Sequence, residues 1–485
     1  DPSLGPCLLE NAEAFPRRPE PRTGPSRSEI LRARYFNGLL HCMRPATRVA
    51  LAALAFFLLT SRGLTVGDAA LHLDVADGLV ARGSTALSFD VGDLGVATER
   101  TAGGLLHLDD QGRVRASLPP GMAWLGAPFV AVGALFADRP LAEAIEPLFA
   151  PNTGSFRAAL RPINLDPRAV AFALIGPLSG AASLLFVWLT LGAFELSRRA
   201  RVAAVVALAL SPLGVYAGTC WTQSVTAACL ALAMWGLSRE RPLWAGLAIA
   251  AATLVRPDHA PLALPFALAL GARWRSQAEL LVPVALAGLG LALFFPAVPG
   301  GGFSWATAPE GLSGLLFSPL SGLFIYAPLS LVALFGVARM GRLGWLMLVP
   351  ALQLAIYAGW FDWSASVAYG PRFLVPSLPV FAVAFGLAFE RRRAPAWVAI
   401  AIGALLAIPG MLLAHVRVPE ITAWTHPTFL DAWAVLLEGD GVGRWVDATV
   451  TYVPAQAWLT LVVAVAGMAL ELRGRRPSLP SSGKS

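Results

Sequence analysis

The sequence predicts an all-α polytopic membrane protein, with about 12 transmembrane helices and a large extracytoplasmic first loop containing interfacial helices. Three observations carry this. Of 485 residues, 56% are hydrophobic and 14% charged, with a mean hydropathy of +0.63, whereas a soluble chain has about a quarter of its residues charged. The apolar residues gather into runs near the ~20 residues that a helix needs to cross a bilayer. The arginines between those runs alternate strongly in number from one loop to the next. Together these exclude a soluble enzyme, a secreted disulfide scaffold and a disordered chain.

Residues 1–42 are rich in Arg and Pro and lack a sustained period, and the first Met is Met43. They read as a disordered tail or a mis-assigned start. A transmembrane domain is predicted over 43–476, followed by a cytoplasmic tail over 477–485. Met43–Leu59 has the look of a signal peptide, but the chain beyond it stays membranous, so it reads as an uncleaved first span. The runs are 46–61, 168–196, 201–218, 221–238, 242–256, 258–273, 277–298, 323–339, 343–361, 372–390, 395–414 and 456–472. With the N-terminus inside, the short inner loops hold Arg198, Arg199, Arg201, Arg239, Arg241, Arg273, Arg275, Arg339, Arg342 and Arg391 to Arg393. The short outer loops hold only Arg256 and Arg372. This bias predicts both termini in the cytoplasm. It also accounts for the net charge of +7 without nucleic acid. The four cysteines have no metal spacing.

Two longer outer segments remain, 62–167 and 415–455. In the first, Leu71–Arg82 is amphipathic at helical spacing, and Asp74 and Asp77 fall on its solvated face. Pro119–Phe136 is apolar but broken by Gly and Pro, which predicts a helix lying in the outer interface.

The informative residues are those costly to bury in a membrane. Asp68 sits where the first run exits on the outer side; a carboxylate there could accept a proton or cap the following helix. Arg256 is grouped with Asp258 and His259 at an outer span end. Arg372 shares an outer loop with Trp360, Asp362, Trp363 and Tyr369. Guanidinium is a natural clamp for phosphate; local pairing of Arg256 with Asp258, and of Arg372 with Asp362, is the structural alternative. These observations make Arg372, Arg256, His259, Tyr369 and Asp362 the candidate substrate-binding residues.

Four stretches also resemble a known family: VGDAALHLDVADGLVARG, PPGMAWLGAPF, GLLFSPLSGLFIYAP and WFDWSASVAYGPRFLVPSLP. Their order, with the large outer loop, resembles the GT-C superfamily of polytopic glycosyltransferases, most of all bacterial relatives of the dolichyl-phosphate-mannose–protein mannosyltransferases. The resemblance implies transfer of a sugar from a polyprenyl-phosphate donor to a lipid, glycan or protein acceptor. High Arg and Ala content with almost no Lys suggests a GC-rich bacterial genome, and so a bacterial inner membrane. The resemblance also implies that Asp68 is the catalytic base and that Arg372 lies near the donor phosphate. Direct displacement would invert the anomeric centre, with or without a divalent metal. Relatives commonly carry a second acid directly after the Asp; this chain has Ala69, leaving Asp90, Asp93, Asp109 or Asp110 as candidates, or one carboxylate alone. The competing readings are a twelve-span transporter or lipid flippase and a catalytically inactive family member.

Overall fold

The computed structural model describes residues 45–61, 67–88, 106–108, 113–116, 118–138, 166–194, 196–294, 303–360, 362–364, 369–412 and 428–437, with a few isolated positions between them. Residues 1–42, the apolar run 456–472 and Asp90, Asp93, Asp109 and Asp110 lie outside that description, as do most of 415–455 and the side chain of Asp68.

Helices dominate, but the expectation of twelve transmembrane helices is corrected. Among the described residues, 5 helices are long and apolar enough to cross a membrane: Pro167–Leu191, Trp274–Leu293, Gly341–Ala358, Arg372–Phe389 and Arg393–Leu412. The other apolar runs among the described residues are shorter or broken. Thr222–Ser238 has 17 residues and Pro242–Val255 has 14, about 26 and 21 Å against the ~30 Å of hydrocarbon. The run 201–218 is interrupted at Ser211–Pro212, where Ser211 caps a new short helix, Pro212–Ala217. The run 258–273 starts as a 3-10 segment, Pro257–Leu262, before Ala263–Leu270. The run 323–339 is cut into three pieces around Pro328. Proline lacks the N–H and crowds the preceding turn, so an apolar run containing it need not be one helix. The chain is thus a helical, membrane-associated protein with a few apolar spans.

The Leu378–Phe389 helix lies at the centre, with every one of its residues buried. Ile175–Leu191, Arg198–Ala209, Leu329–Ala333 and Arg393–Leu412 pack around it. By contrast Trp274–Phe294 is peripheral and exposes Leu281, Val282, Leu286, Leu289 and Leu293. A leucine-rich face of that kind suits lipid better than water.

The basic loops share one end of this bundle. The Ile175–Leu191 and Thr222–Ser238 helices start together, since a Cβ on Gly176 would lie 2.4 Å from the Ala217 carbonyl oxygen. They also end together, with Phe186 and Trp235 5.7 Å apart. At that end Glu240 pairs with Arg273 at 3.5 Å. There too the Ser197 N–H donates to Glu390 at 2.8 Å, and Arg339 reaches the Leu387 carbonyl. Arg198–Arg201, Arg239–Arg241, Arg273, Arg339 and Arg391–Arg393 therefore cluster there. Gln223, at the start of the Thr222–Ser238 helix, lies at the other end.

The first loop contains a helix, Gly67–Arg82, a two-stranded antiparallel hairpin of Leu106–Leu108 with Val114–Ala116, and a second helix, Gly121–Ala134. The second helix exposes Trp124, Leu125 and Val132, with Leu135 and Phe136 just beyond its end. Its Gly121 lies so close to the end of Pro242–Val255 that a Cβ would come within 2.5 Å of Leu254 and Val255 backbone atoms. The first helix is not half-solvated: His72, Asp74 and Asp77 are all buried. Arg168 explains part of this, holding Asp166 with two bonds of 2.9 and 2.7 Å and reaching Asp77 at 3.4 Å. Asp166 in turn caps the helix starting at Pro167, a cap-then-proline start legible in LDPRA.

Asp74 accepts the Ser88 N–H at 2.8 Å through Oδ2, while Oδ1 has no hydrogen-bond partner among the described residues. Burial pushes its carboxyl above the ordinary value of 3.8, against the opposing Ser88 bond. The folded state thus keeps a proton that the unfolded chain has lost, and linkage makes stability fall as pH rises through that interval. Asp74→Asn is neutral at every pH. Melting profiles are expected to show a shallower decline with rising pH in the variant, and greater stability than wild type at neutral pH. Parallel profiles for the two proteins would show that Asp74 is not the group responsible.

Candidate functional site

Two turns and one helix start build the site. Pro257 denies Arg256 a helical backbone, and Arg256 is extended at φ −148°, ending its helix and turning its side chain inward. Gly370 adopts φ +69°, and a Cβ there would meet the Tyr326 ring at 2.9 Å. Only glycine fits that turn, which delivers Arg372 to the start of the Arg372–Ser377 segment. Cys220, at φ +53°, redirects the chain so that Trp221 and Gln223 open the Thr222–Ser238 helix.

The guanidinium groups of Arg256 and Arg372 meet at Gln223. In the amide orientation that gives each of its polar atoms a partner, the Gln223 oxygen accepts from Arg256 Nη1 at 2.7 Å and from Arg372 Nε at 3.1 Å. Its nitrogen donates to Thr222 Oγ1 at 3.3 Å. Aromatic faces fix both cations. Arg372 stacks 3.7 Å over Trp221, Arg256 lies 5.5 Å over Tyr357, and Phe373 is 5.8 Å from each. Tyr357 and Phe373 are themselves stacked at 4.3 Å. Both arginines remain partly accessible.

Asp258 pairs with Arg256 at 3.2 Å and accepts the Tyr357 hydroxyl. Burial alone would raise its carboxyl pKa, but Arg256, with help from His259 and Tyr357, outweighs that and holds it well below the usual carboxylate range. His259 is fully buried, with Nδ1 3.2 Å from Asp258 Oδ2 and Nε2 3.3 Å from Gln353 Nε2. The Gln353 nitrogen donates to His259 Nε2, while Nδ1, close to Asp258, makes no hydrogen bond among the described residues. Gln353 Oε1 accepts the Ser377 hydroxyl. Polar contacts thus lead from the buried Ser377, Gln353 and His259 to the partly exposed Asp258 and Arg256.

Of the residues singled out from sequence, Arg256, His259 and Arg372 come together. Tyr369 turns elsewhere: its hydroxyl donates to the Leu406 carbonyl and its ring packs 5.4 Å from Tyr326. Asp362 sits in the 362–364 turn and accepts from Ser364 at 3.5 Å. Asp68 is the second residue of the Gly67–Arg82 helix, which packs against Gly121–Ala134. Gln223, Trp221, Tyr357 and Gln353 were not anticipated. Gln353 had a signal, being an uncharged polar residue midway through an apolar run; Gln223 lies near the beginning of the run 221–238, where a polar residue is unremarked. Among the described residues, no group of three or more His, Cys, Asp or Glu side chains is placed to hold a metal ion.

No family model, curated protein or solved structure matches this chain. The GT-C and mannosyltransferase labels therefore have no support from similarity, and the span count given beside them is corrected above. What stands is the class: a helical membrane protein with a two-arginine site at the end of the bundle away from its basic loops.

Proposed function

We propose that this chain is a membrane transferase that moves a sugar from a polyprenyl-phosphate donor to a lipid, glycan or protein acceptor, with inversion. It does so at the outer face of a bacterial inner membrane, with both termini cytoplasmic. One observation carries the reading: Arg256 and Arg372, far apart in sequence, converge on the Gln223 oxygen. Two planar, aromatic-backed guanidiniums form a preorganised cradle for a phosphate oxygen. A polyprenyl-phosphate sugar keeps its phosphate in the headgroup layer, so a membrane protein is the right carrier for such a cradle. The departing phosphate gains negative charge as the glycosidic bond breaks, and positive charge fixed in place lowers that barrier. The acceptor hydroxyl must lose a proton, which is the role given to Asp68. The Asp258–His259–Gln353–Ser377 chain holds Arg256 in register; Asp258, kept anionic by its neighbours, is a poor base.

The test is a titration of the purified protein, in phosphatidylcholine nanodiscs, with polyprenyl phosphate and with the matching polyprenol. Tight binding of the phosphate and weak binding of the alcohol is expected, together with turnover of a labelled polyprenyl-phosphate sugar. Equal affinity for phosphate and alcohol would remove the phosphate cradle and the transferase with it.

A further inference from the structure

We infer that a groove at the basic end of the bundle holds one anionic phospholipid, with an acyl chain along residues 274–283 and its phosphate at Arg275. This site is independent of the arginine pair at the other end. The groove lies between the Pro242–Val255 and Trp274–Phe294 helices. They touch where Gly246 has no side chain, since a Cβ there would come 2.5 Å from the Leu280 carbonyl oxygen. Beside that contact is a cavity of about 470 Å³, lined by Leu243 on one helix and by Trp274, Arg275, Ala278, Val282 and Pro283 on the other. Leu243, Trp274 and Val282 are all exposed, so the cavity opens sideways, toward lipid. Its wall rises about 14 Å from Trp274 to Pro283, close to the ~15 Å of hydrocarbon in one leaflet. A phospholipid acyl chain suits that depth, whereas a long polyprenyl chain exceeds it.

Apolar walls alone would take any lipid; charge at the mouth selects the headgroup. The Arg275 guanidinium lies 5.4 Å over the Trp274 ring, and tryptophan favours the headgroup depth at which phosphates lie. The neighbouring chain carries Arg239, Arg241 and Arg273 against Glu240 and Glu279. Glu240 is taken up by Arg273 at 3.5 Å. Glu279, one turn beyond Arg275 on the groove wall, repels a headgroup that sinks past the arginine. Among the described residues Arg275 itself forms no ion pair. The mouth therefore has a surplus of positive charge, and basic pockets of this kind between membrane helices bind anionic headgroups.

The test is native mass spectrometry of the detergent-purified full chain, titrated separately with dioleoylphosphatidylglycerol and dioleoylphosphatidylcholine. The first phosphatidylglycerol is expected to bind at least about fivefold more tightly than the first phosphatidylcholine. Arg275→Ala is expected to bring the two lipids near parity, a loss of about fivefold for the anionic one. Ala278→Trp fills the groove while keeping the arginine, and is expected to weaken phosphatidylglycerol by a similar factor. Ala278 is exposed, so the larger side chain does not disturb the packed interior. Arg199→Ala removes an exposed arginine from the Arg198–Ala209 helix, which packs on Leu378–Phe389, and is expected to bind as wild type does. Equal affinity of the wild type for the two lipids would overturn the inference. So would an equal loss in Arg199→Ala and Arg275→Ala, which means diffuse attraction to the whole basic end. Wild-type affinity in Ala278→Trp would remove the groove, and displacement of phosphatidylglycerol by equimolar polyprenyl phosphate would give the groove to a different lipid.

Discussion

Arg372→Ala is expected to weaken polyprenyl-phosphate binding by about a hundredfold, and Arg372→Lys by about tenfold. The gradation follows from geometry. Arg372 has its guanidinium carbon 3.7 Å from the centre of the Trp221 ring and points Nε at Gln223, so the guanidinium is held in one orientation. Stacking of that kind is worth about 0.5–2 kcal/mol, depending on how dry the site is. Lysine keeps the charge but is a flexible point donor that can neither stack in the plane nor give two parallel bonds. Alanine loses both and leaves Gln223 with Arg256 alone. Turnover should fall further than affinity, because the phosphate is more negative when leaving than when bound in the donor. The nanodisc titration and the labelled-donor assay read these separately. Wild-type affinity in Arg372→Ala would exclude Arg372 from the site.

The two arginines were legible because they break a rule. On a chain whose short outer loops otherwise hold no basic residue, a cation at the outer end of a span needs a reason. Sequence also offered the structural alternative for Arg256, its pair with Asp258, and the structure contains that pair. Asp258 engages Nε, while Nη1 reaches Gln223 and Nη2 donates to the Tyr357 hydroxyl at 2.7 Å. The span count was less legible. Hydropathy sees an apolar stretch and not its dihedral breaks, so Ser211–Pro212 and Ala327–Pro328 vanish inside runs that average as continuous. The misreading of Asp74 and Asp77 has another cause. Periodicity marks a polar face on the Gly67–Arg82 helix, but only the tertiary fold supplies Arg168 and the Ser88 N–H that let the face be buried. Gln223 was illegible for a similar reason: its importance comes from two residues remote in sequence.

Asp68→Asn separates the chemistry from the binding. If Asp68 takes the acceptor proton, the amide removes the base while nearly preserving size, and turnover is expected to fall by about 10²–10⁴-fold. Polyprenyl-phosphate affinity should stay within about twofold of wild type, because the phosphate is held by Arg256 and Arg372 and not by a carboxylate. The contrast with Arg372→Ala, which lowers both quantities, is the informative part. A donor with a phosphate leaving group needs no dedicated acid, so one base and fixed positive charge are sufficient. A single carboxylate at the start of a helix behind the first apolar run can supply the first, and the arginine pair the second. The competing assignment, Asp68 as no more than an acid in the first turn of its helix, predicts another pattern: asparagine there costs melting a little through the helix dipole, and binding and turnover would both be unchanged. A variant with intact binding and lost turnover is explained only by a group that acts in the transfer step.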